Sequence, residues 1–353
     1  MNGKSVIIGM SGGVDSAVAA WLLKRDGYDV TGLFMHNWEE DGGECSAADD
    51  WRDVKAVCDK IGIECYSVNF AKEYMDGVFE YFLAEYKACR TPNPDVLCNR
   101  VVKFGAFRDY CESLGADYIA TGHYCRRDGD RLLRAVDDSK DQTYFLNQVE
   151  TEKLSNVLFP IGGMKKSEVR DIARAEGIPV ADKKDSTGIC FIGERKFKRF
   201  LSEFLPACPG DIVDTSGRVV GRHDGLMYYT LGQRRGLGIG GVKGEAGRWF
   251  VLEKDVKNNR LIVSCGDERA LYSSGLIGSA FNVIGAFDMP SELDCTAKTR
   301  YRQADFSAKL RVSGGGRFEL DFAEPQRAVT PGQYAVIYLG DRCLGGGVIE
   351  NEK

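Results

Sequence analysis

The sequence predicts an N-terminal α/β domain on a doubly wound parallel sheet, then a β-rich central domain and a C-terminal β-barrel domain. From residue 4 to about 121, short apolar strands alternate with longer amphipathic stretches. That alternation is typical of a parallel sheet with helices on both faces. After residue 206 the sequence changes to short alternating strands with frequent glycines, and no long helix is expected there.

The predicted strands of the first domain are KSVII, VTGLFM, ECYSVNF and DYIATG. Helical patterns at KKSEVRDIARAEG and RKFKRFLSEFL extend this domain further along the chain. We therefore predict a first domain at residues 1–205, a central domain at residues 206–275 and a barrel at residues 276–353. Ligands of such α/β domains bind beyond the carboxyl ends of the strands, so FMHNW and ATGHY should border one crevice.

Composition limits the classes of function. The 353 residues are 43% hydrophobic and 28% charged, with a formal net charge of −5, which argues against a surface that binds nucleic acid non-specifically. Any RNA contact must be local. The candidate cations are Arg195, Lys196, Lys198, Arg199, Arg234, Arg235, Arg300 and Arg302. We expect a cytoplasmic protein without membrane contact, because we find neither a signal-peptide pattern nor a run of about 18 apolar residues.

Residues 9–16 read GMSGGVDS and follow the first predicted strand. A helical pattern follows, so the glycines lie at a strand-to-helix turn. The first N–H groups of a helix are unpaired and carry partial positive charge, which makes them an anion site. Gly12 and Gly13 have no Cβ, so a phosphate group can approach the backbone closely.

The other polar residues of this turn fit the same ligand. Ser11 and Ser16 can donate from their hydroxyls, and Asp15 can cap the helix or face a Mg²⁺ ion carried by the phosphates. An ordinary tight turn with an aspartate cap would use the same residue types. No lysine follows the second glycine, so this is not a Walker loop. The turn resembles instead the SGGxDS loop of enzymes that split ATP into AMP and pyrophosphate.

Two of the twelve cysteines stand in distinctive surroundings. Cys98 follows two prolines and an aspartate in RTPNPDVLCNR, at a predicted helix start, where the helix dipole and Arg90 or Arg100 would stabilise a thiolate. Cys190 lies in a glycine-flanked loop beside a basic cluster, in STGICFIGERKF. No C-x-x-C pair occurs and only three histidines are present, so structural zinc is not expected. Lone cysteines are usually core residues, and that reading stays open here.

Eight motifs occur in the order found in bacterial tRNA-specific 2-thiouridylases and together span almost the whole chain. They are GMSGGVDS, FMHNW, TPNPDVLCN, ATGHY, KDQTYFL, STGICFIG, LGQRRGLGIGG and RYRQ. The sequence therefore resembles that family, which implies an adenine nucleotide alpha hydrolase-like first domain with a pyrophosphatase loop, the PP-loop. One departure is His36, which stands where relatives often have lysine.

The resemblance implies a sulfur-for-oxygen exchange on tRNA. ATP with Mg²⁺ would adenylate the C2 oxygen of the uridine at the first anticodon position of tRNAs for Lys, Glu and Gln. Cys190 would carry sulfur as a persulfide, supplied by a cysteine desulfurase or a downstream sulfur-carrier protein. Cys98 would attack the persulfide and leave a Cys98–Cys190 disulfide for a reductant to reopen, with Asp95 as acid/base. A monomer is expected.

The resemblance also implies binding residues, position by position. The implied ATP-binding residues are Gly9, Met10, Ser11, Gly12, Gly13, Val14, Asp15, Ser16, Met35 and Gly122. The implied tRNA-binding residues are Asn93, Pro94, Asp95, His123, Lys140, Asp141, Gln142, Arg300, Tyr301 and Gln333. Read without the family, Met35 would be a core residue, His123 a structural histidine and Gln333 part of a common turn.

Three alternatives follow from the same residues. A synthetase of the amidotransferase type would keep the PP-loop and act on a small molecule, without a need for Cys98 and Cys190. A non-catalytic RNA-binding protein would have kept the fold alone. An iron–sulfur cluster could assist sulfur transfer, but Cys98 and Cys190 would need a third ligand that no cysteine spacing supplies.

Overall fold

The computed structural model describes residues 3–38, 46–185, 197–239 and 247–353. Cys190, Arg195 and Lys196 lie outside these ranges. The strands, numbered along the chain, are β1 (Ser5–Met10), β2 (Asp29–His36), β3 (Glu64–Asn69), β4 (Tyr118–Thr121), β5 (Cys125–Asp128), β6 (Arg131–Arg134), β7 (Val157–Leu158), β8 (Gly210–Asp214), β9 (Val219–His223), β10 (Trp249–Asp255), β11 (Arg260–Cys265), β12 (Tyr272–Val283), β13 (Leu293–Lys298), β14 (Phe306–Ser313), β15 (Arg317–Arg327), β16 (Tyr334–Leu339) and β17 (Arg342–Glu352).

The helices lie in the first part of the chain, as predicted. They are α1 (Val14–Arg25), α2 (Ser46–Ile61), α3 (Ala71–Tyr74), α4 (Glu80–Lys87), α5 (Pro94–Leu97), α6 (Phe107–Ser113), α7 (Lys166–Ala175) and α8 (Phe197–Phe204). Wider π-type turns at Met75–Phe79 join α3 to α4, and those at Cys98–Ala106 join α5 to α6. Such turns are rare and often occur at functional sites. Past residue 205, the described residues form strands and short 3₁₀ turns only.

A parallel sheet in the order β3–β2–β1–β4–β7 organises the first part of the molecule. Alternate residues of β1 point to opposite faces, so Ile8 packs with α1, α2 and α7, whereas Ile7 packs with the helical segment 71–113. The doubly wound α/β domain is therefore confirmed. All four predicted strands are present, and β7 is an addition that the sequence analysis missed.

Two further sheets follow. Strands β10, β11, β8 and β9 form a mixed four-stranded sheet over a small apolar core. Strands β12, β15, β14, β13, β16 and β17 pair in that order, and β17 pairs again with β12, which closes a six-stranded barrel. The β-rich region and the C-terminal barrel are thus confirmed, while the exact domain boundaries near residues 205 and 275 stay a prediction.

A hairpin from the first domain extends the barrel sheet. Strands β5 and β6 pair with each other, and Leu132 and Leu133 of β6 pair with Cys343 and Arg342 of β17. Arg126 also pairs with Asp341 at 2.9 Å. The first domain and the barrel therefore share a continuous set of backbone hydrogen bonds. Within the described ranges, we find no helix with the length and apolar character needed to cross a membrane.

Candidate active site

The glycine turn between β1 and α1 needs residues without a side chain. Gly12 has a φ of +71°, and a Cβ there would lie 2.8 Å from the carbonyl oxygen of Asp50. Gly13 precedes the first helical residue, Val14, and no side chain caps this helix end. The first N–H groups of a 12-residue helix are therefore left for an external acceptor, as expected for an anion site.

The two serines of the turn face each other. The Ser11 backbone N–H donates to Ser16 Oγ at 3.2 Å, and the two hydroxyl oxygens are also 3.2 Å apart. Ser16 Oγ donates in turn to the carbonyl oxygen of Gly13 at 3.2 Å. These contacts fold the turn back onto α1, which shapes the backbone around the anion site.

The ends of three neighbouring strands meet at this turn. A Cβ on Gly122, which follows β4, would lie 2.7 Å from the backbone nitrogen of Ser16, so β4 and α1 touch through their backbones. A Cβ on Gly9 would lie 3.5 Å from Met35 Cε at the end of β2. The structure therefore brings Gly9, Met35 and Gly122 together, whereas Met10 and Val14 are buried in the core and shape the turn from within.

Asp15 takes part in an ion pair that the sequence analysis did not predict. Lys166, the first residue of α7, donates from Nζ to Asp15 Oδ1 at 2.7 Å and to Oδ2 at 2.8 Å. The Tyr124 hydroxyl donates to Asp15 Oδ1 at 2.8 Å. Asp15 thus accepts bonds from two distant segments and does not cap α1. Lys166 is the first residue of a strongly amphipathic helix, a position that in sequence alone indicates a solvated cation.

Asp185 continues this network away from the glycine turn. It accepts from Lys166 at 2.8 Å, from Lys140 at 2.8 Å and from Arg170 at 2.9 Å. Burial raises the pKa of Asp185, but the hydrogen bonds from Lys140 and Lys166 outweigh it and lower the pKa to about 2. Lys140, which the family resemblance assigns to tRNA, is therefore connected through Asp185 and Lys166 to the glycine turn.

Cys98 lies one turn inside a helix and not at its first residue. Asn93 precedes α5, Pro94 is the first helical residue, and the π-type turns begin at Cys98 itself. The Cys98 side chain packs in an apolar cluster and the residue is only 1% exposed. The cations proposed to stabilise its thiolate pair elsewhere, Arg90 with Glu85 and Arg100 with Glu150 at 3.9 Å. Its expected partner Cys190 lies outside the described residues.

The segment before Cys98 is fixed by the barrel. Gln333 donates from Nε2 to the carbonyl oxygens of Thr91 at 2.8 Å and Pro92 at 3.3 Å. Among the residues that the structure describes, Asn93 Oδ1 is buried and has no hydrogen-bond partner. An unpaired buried amide oxygen is costly, and it can accept a bond from an incoming donor. Asp95 lies in the first turn of α5, beside this amide.

Three further residues assigned to tRNA, His123, Asp141 and Gln142, also have contacts within the protein. His123 is buried, accepts or donates at Nδ1 with Thr121 Oγ1 at 2.8 Å, and lies near the rings of Phe104 and Phe159. Burial lowers the pKa of His123 well below its usual value. Asp141 is buried and accepts from Thr143, and Gln142 accepts from the backbone N–H of Tyr124 at 2.8 Å.

The remaining two assigned residues lie at the start of a turn in the barrel. Arg300 Nη2 donates to the carbonyl oxygens of Leu231 at 3.1 Å and Ala328 at 2.9 Å, and to Thr330 Oγ1 at 2.6 Å. It therefore links the loop before β10 to the barrel. Tyr301 is half-buried, with its ring centroid 4.3 Å from that of Phe145.

The doubly wound sheet and the glycine turn define an α/β nucleotide-binding protein. Two β-rich units follow this α/β domain in sequence. The family model described as tRNA methyl transferase HUP domain matches residues 4–194. Models described as tRNA methyl transferase PRC-barrel domain and Aminomethyltransferase beta-barrel domain match residues 198–265 and 273–349.

Full-length relatives identify the family. A tRNA-specific 2-thiouridylase MnmA from Actinobacillus succinogenes is 56% identical over 361 residues, which cover 99% of this chain and 93% of the relative. The Escherichia coli O1:K1 protein of the same name is 57% identical over 356 residues, covering 98% and 97%. The chain belongs to the family of tRNA-specific 2-thiouridylases. A solved structure of the U34-tRNA thiolase NcsA from Methanococcus maripaludis with its 4Fe–4S cluster is 20% identical, with a TM-score of 0.38, over 57% of this chain and 64% of that one.

Proposed function

We propose that this protein is the ATP-dependent sulfurtransferase that converts the wobble uridine of tRNA to 2-thiouridine. The observation that carries this proposal is the identity of 56% to 57% with 2-thiouridylases over 98% to 99% of the chain. The glycine turn supports it, because its open helix N-terminus suits the phosphates of ATP. Two of the matching models are described as methyl transferase domains, but the full-length relatives are named as thiouridylases.

The first chemical step is adenylation of the base. The C2 oxygen of the uridine forms a bond to the α-phosphorus of ATP, and pyrophosphate leaves with the electron pair of the broken bond. Residues 9–16, Met35 and Gly122 form the proposed ATP site. Mg²⁺ that arrives with the phosphates would meet Asp15, because Mg²⁺ commonly takes one or two carboxylates and completes its shell with water and phosphate. Within the described ranges no three His, Cys, Asp or Glu side chains cluster, and Asp15 is the acidic residue in the first turn of α1.

The second step transfers sulfur. We propose that Cys190 holds a persulfide, supplied by a cysteine desulfurase or a downstream carrier, and that its outer sulfur forms a bond to C2 while AMP leaves with the oxygen. Cys98 then attacks Cys190 Sγ, the sulfur–sulfur bond breaks, and the thiolated base departs from a Cys98–Cys190 disulfide that a thiol reductant reopens. In the alternative order, Cys98 attacks Cys190 Sγ first, and the hydrosulfide that this step releases then forms the bond to C2. Asp95 is the proposed acid/base.

The residues that would bind the tRNA, the tRNA substrates, the oligomeric state and the location are also proposed. Asn93, Pro94 and Asp95 would hold the extruded base, and a flipped uridine would leave its stack to enter this site. The other proposed tRNA contacts are His123, Lys140, Asp141, Gln142, Arg300, Tyr301 and Gln333. We propose tRNAs for Lys, Glu and Gln as substrates, a monomer as the active form and the cytoplasm as its location.

A nucleoside analysis tests the proposal. Cells lacking the gene should lose 2-thiouridine from the anticodons of these tRNAs, and the intact gene should restore it; the measurement is mass spectrometry of tRNA digests. Unchanged 2-thiouridine, without a second copy of the enzyme, would reject the function. If the protein were a synthetase for a small molecule, cells lacking the gene would keep 2-thiouridine in these tRNAs. If it were a methyl transferase, they would lose a methylated nucleoside instead.

Variants separate the chemistry from the fold. Purified Cys98→Ala protein should release pyrophosphate with tRNA and ATP but form no 2-thiouridine, since only the sulfur step needs this thiol. Cys111→Ala is the matched control, because Cys111 is also buried on the same helical segment and has no proposed role. Iron content and visible absorbance after anaerobic purification test the iron–sulfur alternative: bound iron that is required for thiolation would replace the mechanism with two thiols.

A further inference from the structure

The glycine turn lacks the lysine that Walker loops place on the terminal phosphates, and the fold supplies one from elsewhere. Lys166 stands 151 positions after Asp15 and reaches both oxygens of that carboxylate at 2.7 and 2.8 Å. The residue is only 9% exposed. A buried ammonium at the first turn of α1 is thus held next to the backbone groups that receive the phosphates of ATP.

Hydrogen bonds and ion pairs around Lys166 tie several charged groups together beside the glycine turn. The described charged groups of this network are the acids Asp15, Asp137 and Asp185 and the cations Lys140, Lys166 and Arg170, with Asp137 accepting from the Lys166 backbone N–H at 2.9 Å. Three cations balance three carboxylates, so the attraction for an anion comes from the dipole at the N-terminus of α1 and from the Lys166 ammonium held beside it. Tyr124 contributes a neutral hydroxyl, 2.8 Å from Asp15.

The Lys166 ammonium can donate to a phosphate oxygen and still keep bonds to Asp15 and Asp185. An ammonium has three donors, and Lys166 directs bonds to two oxygens of one carboxylate and to Asp185 at 2.8 Å. Two of the three N–H groups of Lys166 point to the Asp15 carboxylate, so one of them can turn to a phosphate oxygen. The exchange replaces a singly charged acceptor by one of higher charge, which strengthens the bond to the ammonium.

We propose that Lys166 binds the β- and γ-phosphates of ATP and stabilises pyrophosphate as it leaves during adenylation. This inference rests on the proposed function for its reaction, although phosphate binding itself does not need tRNA. As the bond from the α-phosphorus to its bridging oxygen breaks, negative charge builds up on the pyrophosphate oxygens. A fixed ammonium there lowers the barrier by electrostatic stabilisation in a site shielded from water.

Binding measurements with three ligands test the assignment. Isothermal titration calorimetry with ATP, inorganic pyrophosphate and AMP, each with Mg²⁺, is carried out on Lys166→Met and Lys166→Gln. We expect the affinity for ATP and pyrophosphate to fall about tenfold or more, with AMP binding unchanged within about twofold, because AMP lacks the phosphates that Lys166 contacts. Lys165→Met is the matched control, an exposed lysine one position away, and should bind all three ligands as the parent does.

The outcome distinguishes phosphate binding from a purely structural salt bridge. An equal loss for ATP and AMP, or no loss for pyrophosphate, would overturn the proposal. If both variants fail to fold, the parent protein is treated with a lysine-acylating reagent: pyrophosphate should protect Lys166 at least threefold and AMP should not, as read by peptide mass spectrometry, and absent protection by pyrophosphate also overturns it. No tRNA or sulfur enters these measurements, so a failed thiolation test leaves their result unaffected.

Discussion

Gln333, in the barrel, donates from its side-chain amide to the carbonyl oxygen of Thr91 at 2.8 Å, across 242 positions of sequence. The contact is reinforced by the Thr91 backbone N–H, which donates to the carbonyl oxygen of Pro331 at 3.0 Å. Gly332 between them has a φ of +90°, and a Cβ on it would lie 3.0 Å from the Thr91 oxygen. The barrel therefore holds the chain directly before Asn93 and Asp95.

Replacing this amide should impair catalysis through position. In Gln333→Leu the carbonyls of Thr91 and Pro92 lose their donor, so the segment that carries Asp95 and Cys98 is held less firmly. We expect the kcat of thiolation to fall about tenfold with ATP affinity unchanged, and stability to fall by about 1–2 kcal/mol. Single-turnover thiolation and ATP titration measure both. Gln326→Leu, also in the barrel, is the control, and a parental kcat in Gln333→Leu would contradict the role.

The fold was predictable where local patterns decide it. Four of the five strands of the first sheet alternate with helices, and each of these four reads as a short apolar run. The pairing of β6 with β17 was not predictable, because the sequences CRRD and RLLR are short and polar and their partner lies about 200 positions away. The closure of the barrel between β12 and β17 is likewise a long-range pairing that no local pattern encodes.

The candidate site, like the fold, has one part that the sequence predicts and another that depends on tertiary packing. The glycine turn is contiguous in sequence, so its residue types alone predict an anion site. The charged groups beside it come from distant segments, since Lys166 reaches Asp15 and Asp185 only after α7 has packed against α1. A lysine at the start of an amphipathic helix is normally solvated, and its burial beside a carboxylate follows from tertiary packing alone.

Gly122 should not tolerate any side chain. In Gly122→Ala the Cβ would lie 2.7 Å from the Ser16 backbone nitrogen and 2.9 Å from the Asp15 carbonyl carbon, so β4 or α1 must shift. We expect a loss of about 2–4 kcal/mol in stability and of at least tenfold in ATP affinity, by denaturant unfolding and calorimetry. Gly163→Ala is the control, since its Cβ would meet nothing within 4 Å. Parental ATP binding by Gly122→Ala would refute the close contact.

Stability should depend on pH through His123. Burial, with a smaller contribution from Lys103, lowers the pKa of His123 well below its usual 6.5. Below about pH 6.5 the unfolded chain takes up a proton that the folded chain refuses, so stability falls as pH falls, by up to about 1.4 kcal/mol per pH unit. His123→Gln removes this term. Denaturant unfolding from about pH 7 to about pH 5 should show a steeper decline in the parent, and parallel curves would show that His123 becomes protonated in the fold.

Arg300 should stabilise the contact between the barrel and the loop before β10 more than the nearby Arg302 does. In Arg300→Met three acceptors, the carbonyls of Leu231 and Ala328 and the Thr330 hydroxyl, lose their charged donor in a partly buried position. Hydrogen bonds from a charged donor contribute about 1.5–3 kcal/mol, so we expect thermal unfolding several degrees lower and faster proteolysis between the β units. Arg302→Met, at an exposed position, is the matched control. If Arg300→Met unfolds as the parent does and loses only tRNA affinity, measured by filter binding, then Arg300 acts on tRNA and not on this contact.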